Sequence, residues 1–227
     1  MPTLPSDSDE VQSYTRIVLR PLGSPLPLGF YAFGMGVLLT SASELHWIPA
    51  ADARNIPMAL FGFVAPAEFL ACILAYLARD TASATTLGIF SLSWVVQGLV
   101  FLRQAQQASA TVGIFLVLLA LMMAALAIIA YETKPLLSFI LGMACLRSLA
   151  AAIVQFQVGE LKLTAAILGL LLTCMSLYGG TAFLIEDMKQ SAVLPLFRRG
   201  QAKSAIQGRF GEQLRKTSNE AGVRQQL

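Results

Sequence analysis

Charge is scarce in this sequence: only 13% of its 227 residues are Asp, Glu, Lys or Arg. Soluble proteins carry roughly a quarter charged residues and about 45–50% apolar ones, whereas 56% of this chain is apolar. These proportions exclude an ordinary soluble enzyme, a disordered polar chain and a secreted disulfide-rich scaffold. The net charge of +3 is too small to predict nucleic acid as a partner.

Residues that carry catalytic or metal chemistry are equally few. His46 is the single histidine, and the three cysteines lie in apolar stretches without a CxxC spacing. No HExxH, GxSxG or phosphate-binding Gly-Lys-Ser/Thr motif occurs. The sequence therefore predicts no enzyme activity, no cofactor and no metal site, and we interpret the cysteines as small buried apolar side chains.

Long apolar runs are what the sequence has instead. Each run has about 18–23 residues, or about 27–35 Å as a helix, which matches a hydrocarbon core of about 30 Å. A backbone in lipid must satisfy its own hydrogen bonds, and no alternating strand pattern is present, so we predict helices. The six predicted spans are Leu28–Leu45, Met58–Leu77, Thr85–Leu102, Val112–Ala130, Pro135–Phe156 and Leu163–Ile185.

The breaks between these runs are short, so neighbouring helices must be antiparallel. The predicted fold is all-α: a polytopic membrane protein with six transmembrane helices. We expect a polar N-terminal tail at 1–24, the six-helix domain at 25–188, and a basic, solvated C-terminal tail at 189–227. The first 18 residues are polar and acidic, which does not match a cleavable signal peptide.

The basic residues predict the orientation of the spans. Twelve of the 16 fall on one side: two in the N-terminal tail, one each in the second and fourth loops, and eight in the C-terminal tail. Three fall on the other side, and Arg147 lies within a span. The positive-inside rule therefore predicts that both termini are cytoplasmic, in a multi-pass protein of the cytoplasmic membrane.

Two ionisable residues lie deep in the predicted spans. Glu68 is at the centre of the second, and Arg147 is within two residues of the centre of the fifth. A charge at the bilayer centre costs roughly 2.5–3.5 kcal/mol on insertion scales, so both side chains should face protein or water. Two interpretations stay open: a buried ion pair between Glu68 and Arg147, or a polar pathway in which Arg147 attracts an anion.

Glycine and proline are frequent in the spans. Gly34 and Gly36 lie in the first, Pro66 interrupts the second, and Gly179-Gly180 lie in the sixth beside Tyr178. Small residues favour close helix packing, which is the interpretation we prefer. Interrupted helices can also mark a transport pathway.

Three short motifs resemble those of the acetate uptake transporters, also called the succinate–acetate permease or YaaH-type family. Its signature Asn-Pro-Ala-Pro-Leu-Gly-Leu followed by Phe-Gly-Met is matched in spacing, with Ser24 in place of Asn. The other motifs are supportive. The matching stretches are Ser24–Phe30 with Phe33–Met35, Asp80–Thr81 with Phe90–Trp94, and Ser176–Tyr178 with Val193–Pro195.

This resemblance implies a homohexamer in which each protomer has its own pore for small carboxylates. A constriction of bulky apolar side chains in that pore aligns with Phe33, Phe90 and, less securely, Ala144. Glu68 aligns with a position that is often Gln, and Tyr178 lies in the sixth-helix motif. Phe33 and Phe90 also lie at one predicted depth, about 5 Å from the midplane, where two aromatic rings can close a narrow pore.

The predicted function is transport of a small carboxylate, acetate first and succinate second. The predicted substrate-binding residues are Phe33, Glu68, Phe90, Ala144, Arg147 and Tyr178. Two alternatives stay open: a channel for a neutral solute such as a small amide or ammonia, and a membrane organiser or signalling subunit that transports nothing. The sequence also leaves open whether protons are co-transported.

Overall fold

Six long apolar helices form the body of the protein. The computed structural model describes residues 22–103, 108–156, 161–189, 191 and 193–199, and within these ranges all regular structure is helical. Each helix has 19–28 residues and is long and apolar enough to cross a membrane, which confirms the predicted architecture. From the first to the sixth span, the helices are Leu26–Glu44, Ala50–Leu77, Thr81–Leu102, Ala110–Tyr131, Pro135–Gln155 and Lys162–Lys189.

The second span is irregular in its first half. Short α-helices at Ala50–Ala53 and Ile56–Ala59 lead into a π-helical turn at Leu60–Val64, and a regular α-helix continues over Ala65–Leu77. Pro66 has no N–H to donate, so the wider turn directly before it accommodates the proline ring. The predicted interruption of this span is therefore found, just before Pro66.

The six spans form a ring in chain order. The first span packs on the sixth and the second, the fifth packs on the fourth and the sixth, and the second packs on the third. The third and fourth spans touch more sparsely and complete the ring. This order gives the spans one shared centre.

Glycines allow very close contacts between helices at two places, between the first and third spans and between the first and sixth spans. A Cβ at Gly36 would lie 2.8 Å from the Trp94 ring, and a Cβ at Gly169 would lie 1.9 Å from Ser41 Oγ. Gly179 and Gly180 likewise face aromatic rings of the first span. The preferred interpretation of the glycines, close packing, is confirmed at these positions.

The bundle has two distinct ends. The first span finishes at one of them, which we call the Glu44 end, and the fifth span begins at the other, the Lys134 end. At the Lys134 end, Asp80 accepts a hydrogen bond from Ser83 N at 3.3 Å and so caps the third span. Asp80 also forms an ion pair with Lys134, which joins the second loop to the fourth.

The pKa of Asp80 reflects these contacts. Burial alone would raise the pKa of the carboxyl group. The Lys134 charge and the hydrogen bonds from Lys134 and Ser83 outweigh burial and bring the pKa below its ordinary value. Asp80 is therefore held as a carboxylate that bridges two loops.

The segment 193–199 folds back over the Lys134 end. The Tyr178 hydroxyl donates to Pro195 O at 2.9 Å, Arg199 N donates to Thr133 O at 3.0 Å, and Arg198 pairs with Glu186. Leu196 is only 4% exposed. The prediction of a solvated C-terminal tail is wrong for this segment. Leu196 is buried, Arg198 forms an ion pair and Arg199 donates a hydrogen bond, and these contacts attach the segment to the bundle. The rest of that tail, like the N-terminal tail to residue 21, lies outside the described residues.

Candidate functional site: the central cavity

A small cavity of about 20 Å³ lies at the centre of the ring. That volume is enough for about one water molecule. Five of the six spans contribute side chains to its wall, and most of these side chains are apolar. The lining residues are Phe33, Val37, Phe90, Ser93, Trp94, Gln97, Leu116, Leu119, Ala144, Arg147, Ser148 and Leu172.

Two phenylalanine rings meet at this cavity. The ring centroids of Phe33 and Phe90 are 4.5 Å apart, with the ring planes tilted by 43°. The Trp94 ring lies next to them, 6.0 Å from that of Phe33. Trp94 can approach the first span because Gly36 has no side chain. The prediction that Phe33 and Phe90 share one depth is confirmed, since their rings are in contact.

Glu68 lies next to the aromatic cluster that Phe33, Phe90 and Trp94 form. Its carboxylate is completely buried, and Oε1 accepts a hydrogen bond from Trp94 Nε1 at 3.0 Å. Oε2 has no hydrogen-bond partner among the described residues. No described residue of the second span lines the cavity. Glu68 contacts Trp94 of the third span, and Trp94 is part of the cavity wall.

The partners of Arg147 in the structure do not include Glu68, the partner that the sequence suggested. Arg147 Nη2 donates to Thr40 Oγ1 at 2.9 Å and forms an ion pair with Glu44, 3.2 Å from Oε1. The interpretation of a Glu68–Arg147 ion pair is therefore wrong. Glu44 of the first span supplies a nearer carboxylate to Arg147, while Glu68 accepts a hydrogen bond from Trp94.

Several buried polar atoms around Arg147 lack partners among the described residues. Arg147 Nε and Ser41 Oγ both point toward Gly169, and Ser176 Oγ lies further along the sixth span. A buried donor without an acceptor costs about 1–3 kcal/mol, so a water or an anion that reached Nε would be bound favourably. Arg147 Nε is therefore a buried donor that faces Gly169 without an acceptor among the described residues.

Four of the six predicted site residues line the cavity: Phe33, Phe90, Ala144 and Arg147. Glu68 contributes indirectly, through Trp94. Tyr178 is not brought to the cavity: it is 37% exposed and bonded to the segment 193–199. The roles of all six in substrate binding stay predictions.

The sequence analysis did not identify the partners of the two buried ionisable residues, which are Thr40 and Glu44 for Arg147 and Trp94 for Glu68. Helical spacing could have indicated them. Thr40 and Glu44 are four residues apart on one helix face, and Trp94 is four residues beyond Phe90. Glu44 is in the last turn of its span, where a carboxylate suggests solvent rather than a buried partner. In the described part of the chain, no three His, Cys, Asp or Glu side chains cluster closely enough to hold a metal ion.

Comparison with known proteins shows a similarity at the level of three-dimensional structure. The bacterial acetate channel SatP superimposes with a TM-score of 0.69 over 77% of this chain and 99% of the channel, at 18% sequence identity. No family model and no curated protein sequence matches the chain. The fold implied by the resemblance to the succinate–acetate permeases is confirmed: the chain has the fold of a bacterial acetate channel.

Proposed function

We propose that this protein belongs to the succinate–acetate permease family and transports small carboxylates, acetate first and succinate second, through a pore within each protomer. The observation that carries the proposal is the contact between Phe33 and Phe90 inside a bundle with the fold of an acetate channel. Arg147 in the wall of the same cavity supplies the positive charge that an anion needs.

The closed contact explains how the pore would stop leakage. Two aromatic rings at a centroid distance of 4.5 Å leave no room for water between them. A side-chain rotation of either ring would open the constriction for a small solute. Ala144, at the third position of the constriction, contributes only a methyl group, so the opening depends on the two rings.

The proposed setting is a homohexamer in the cytoplasmic membrane with both termini in the cytoplasm. This setting is an expectation from the resemblance and from the distribution of basic residues. The mass of the purified protein in native mass spectrometry measures the oligomeric state. A monomeric or dimeric mass would contradict the hexamer without affecting the pore.

The direct test is flux into proteoliposomes. Labelled acetate, succinate and acetamide are offered at two pH values, with empty liposomes as the reference. We expect acetate uptake well above the reference. Uptake that depends on pH separates the carboxylate anion from the neutral acid, and uptake no faster than in empty liposomes would refute transport.

Phe33→Ala tests the constriction. Removing one of the two rings should raise carboxylate flux by about two- to tenfold and weaken selectivity by size, because the closing contact is lost. The matched control is Phe139→Ala, since Phe139 is 61% exposed and lies away from the cavity. Phe33→Leu serves if the alanine variant is unstable. Flux and selectivity equal to those of the control would show that Phe33 is not a gate.

A channel for a neutral solute is the second candidate. Glu44 already neutralises Arg147, so these two facing charges cancel at the cavity. In the flux experiment this candidate predicts fast acetamide uptake and little dependence on solute charge. A third hypothesis is a membrane organiser or signalling subunit without transport. It predicts no flux of any solute and loss of function when residues after Pro195 are deleted.

A further inference from the structure

The ion pair between Arg147 and Glu44 is an unusual feature for an anion pathway. Arg147 lines the cavity, yet its Nη2 is already held by Glu44 at 3.2 Å and by Thr40 at 2.9 Å. The chain's own carboxylate thus occupies part of the guanidinium that a transported carboxylate would use. Arg147 Nε remains without an acceptor among the described residues.

The pair lies between the constriction and one end of the bundle. Glu44 follows Phe33 by eleven residues on the same helix, which corresponds to about 16 Å along the helix axis. Its side chain is 25% exposed, whereas that of Arg147 is 10% exposed. A path from the cavity to the Glu44 end that follows this pair would run past a buried cation and a partly exposed anion.

We infer that Glu44 is a specificity-determining residue that makes this pathway favour monocarboxylates over dicarboxylates. The inference rests on the proposed function and extends it by naming the substrate class. One carboxylate can be attracted by the positive charge of the Arg147 guanidinium in the cavity wall. The second carboxylate of a dianion meets the negative charge of Glu44 instead.

Other charged groups near the Arg147–Glu44 pair do not change the charge at the cavity. Lys162 also attracts Glu44, but Lys162 is exposed, so water and salt screen its charge. Glu68 is separated from the cavity by the Trp94 ring. Arg147 is the one charged side chain among the described residues that line the cavity.

Glu44→Gln tests the inference. The change keeps the side-chain shape and a hydrogen-bond acceptor for Arg147 but removes the negative charge. At pH 7, where acetate and succinate are ionised, we expect the ratio of succinate to acetate uptake to rise by about three- to tenfold. This range corresponds to the loss of one charge about 10 Å from the solute in a partly screened site.

The matched control is Glu186→Gln, which removes the carboxylate of a different arginine pair, that with Arg198 at the opposite end of the bundle. It should leave the ratio within about twofold of the original protein, since screened charges so far apart interact weakly. A ratio that rises equally in both variants would overturn the role of Glu44, because the effect would then follow net charge alone.

Two further measurements distinguish failure of the proposed function from failure of the inference about Glu44. The original protein must carry acetate faster than empty liposomes; failure there refutes the proposed function itself. If it carries acetate but the Glu44→Gln ratio is unchanged, only the present inference fails. Should the glutamine variant aggregate, Glu44→Asp draws the carboxylate back from Arg147 and the solute, and we expect a smaller rise of about twofold. An unchanged ratio in a folded Glu44→Asp protein also overturns the inference.

Discussion

Gly169 is the residue that brings the sixth span against Arg147. A Cβ added there would lie 1.9 Å from Ser41 Oγ and 2.7 Å from Arg147 Nε. Both distances are shorter than real Cβ contacts, so the two side chains would have to move. The lack of a side chain at Gly169 therefore sets the position of the guanidinium that faces the cavity.

Gly169→Ala should accordingly destabilise the protein by about 1–3 kcal/mol, the usual cost of overpacking a core. The measurement is thermal unfolding in detergent, followed by size-exclusion chromatography. Gly142→Ala is the matched control, because nothing lies within 4 Å of a Cβ at Gly142 in the fifth span. Equal stability of the two variants would mean that the sixth span adjusts freely around Arg147.

Individual ionisable residues were only partly predictable. That Glu68 and Arg147 face protein rather than lipid followed from the cost of a charge in hydrocarbon, and both are buried. Their partners did not follow, because depth along a helix says nothing about the direction in which the helix face points. Trp94 and Glu44 became their partners through the packing of the third and first spans.

The loops at the Lys134 end hold the spans in register through charged contacts. Asp80 caps the third span and pairs with Lys134, directly before the fifth. Lys134 also donates to Ser83 Oγ at 3.1 Å. These contacts connect two helices that are not neighbours in the ring.

Asp80→Asn should lower the free energy of unfolding by about 1 kcal/mol at pH 7, because the ion pair with Lys134 and the negative charge at the helix N-terminus are lost while asparagine still caps the helix. The pKa of Asp80 is lowered in the folded protein, so its contribution is present above the unfolded pKa of about 4 and is lost as the pH falls through the folded value. The difference between the two proteins should therefore shrink below about pH 4.

The measurement is unfolding of both proteins in detergent at neutral and acidic pH. Asp52→Asn provides the control, since Asp52 is exposed in the short helix Ala50–Ala53. A stability difference for Asp80→Asn that is as large in acid as at pH 7 would rule out the charge of Asp80 as its source.

At the scale of the whole molecule, basic residues distinguish the two ends of the bundle. Loops with Arg79 and Lys134, together with Arg198 and Arg199, lie at the Lys134 end. The positive-inside rule predicts that this end faces the cytoplasm. The Glu44 end would then be the one that meets substrate arriving from outside.

Cysteine labelling in intact cells checks this orientation. In a protein without its three native cysteines, Asp52→Cys at the Glu44 end should react with a membrane-impermeant maleimide. Glu132→Cys at the Lys134 end should react only after the membrane is opened; both positions are exposed. Labelling of Glu132→Cys alone in intact cells would reverse the orientation.

The sequence by itself determined the number of spans, their helical character and the membrane as solvent. Apolar runs of this length have no other stable arrangement in hydrocarbon, and the short breaks force antiparallel neighbours. The contact of Phe33 with Phe90 was also predictable, since a signature motif and a common depth indicated it.

Only the tertiary structure decided how the helices are rotated about their axes, and with that which charges meet. The rotation is set by close contacts such as Gly36 with Trp94 and Gly169 with Ser41. Small residues occur throughout the spans, so the sequence does not single out these contacts. They direct Arg147 to Glu44. Contacts with Tyr178, Thr133 and Glu186 hold the segment 193–199 on the bundle. Neither result can be read from hydropathy, which measures burial in lipid rather than contacts between helices.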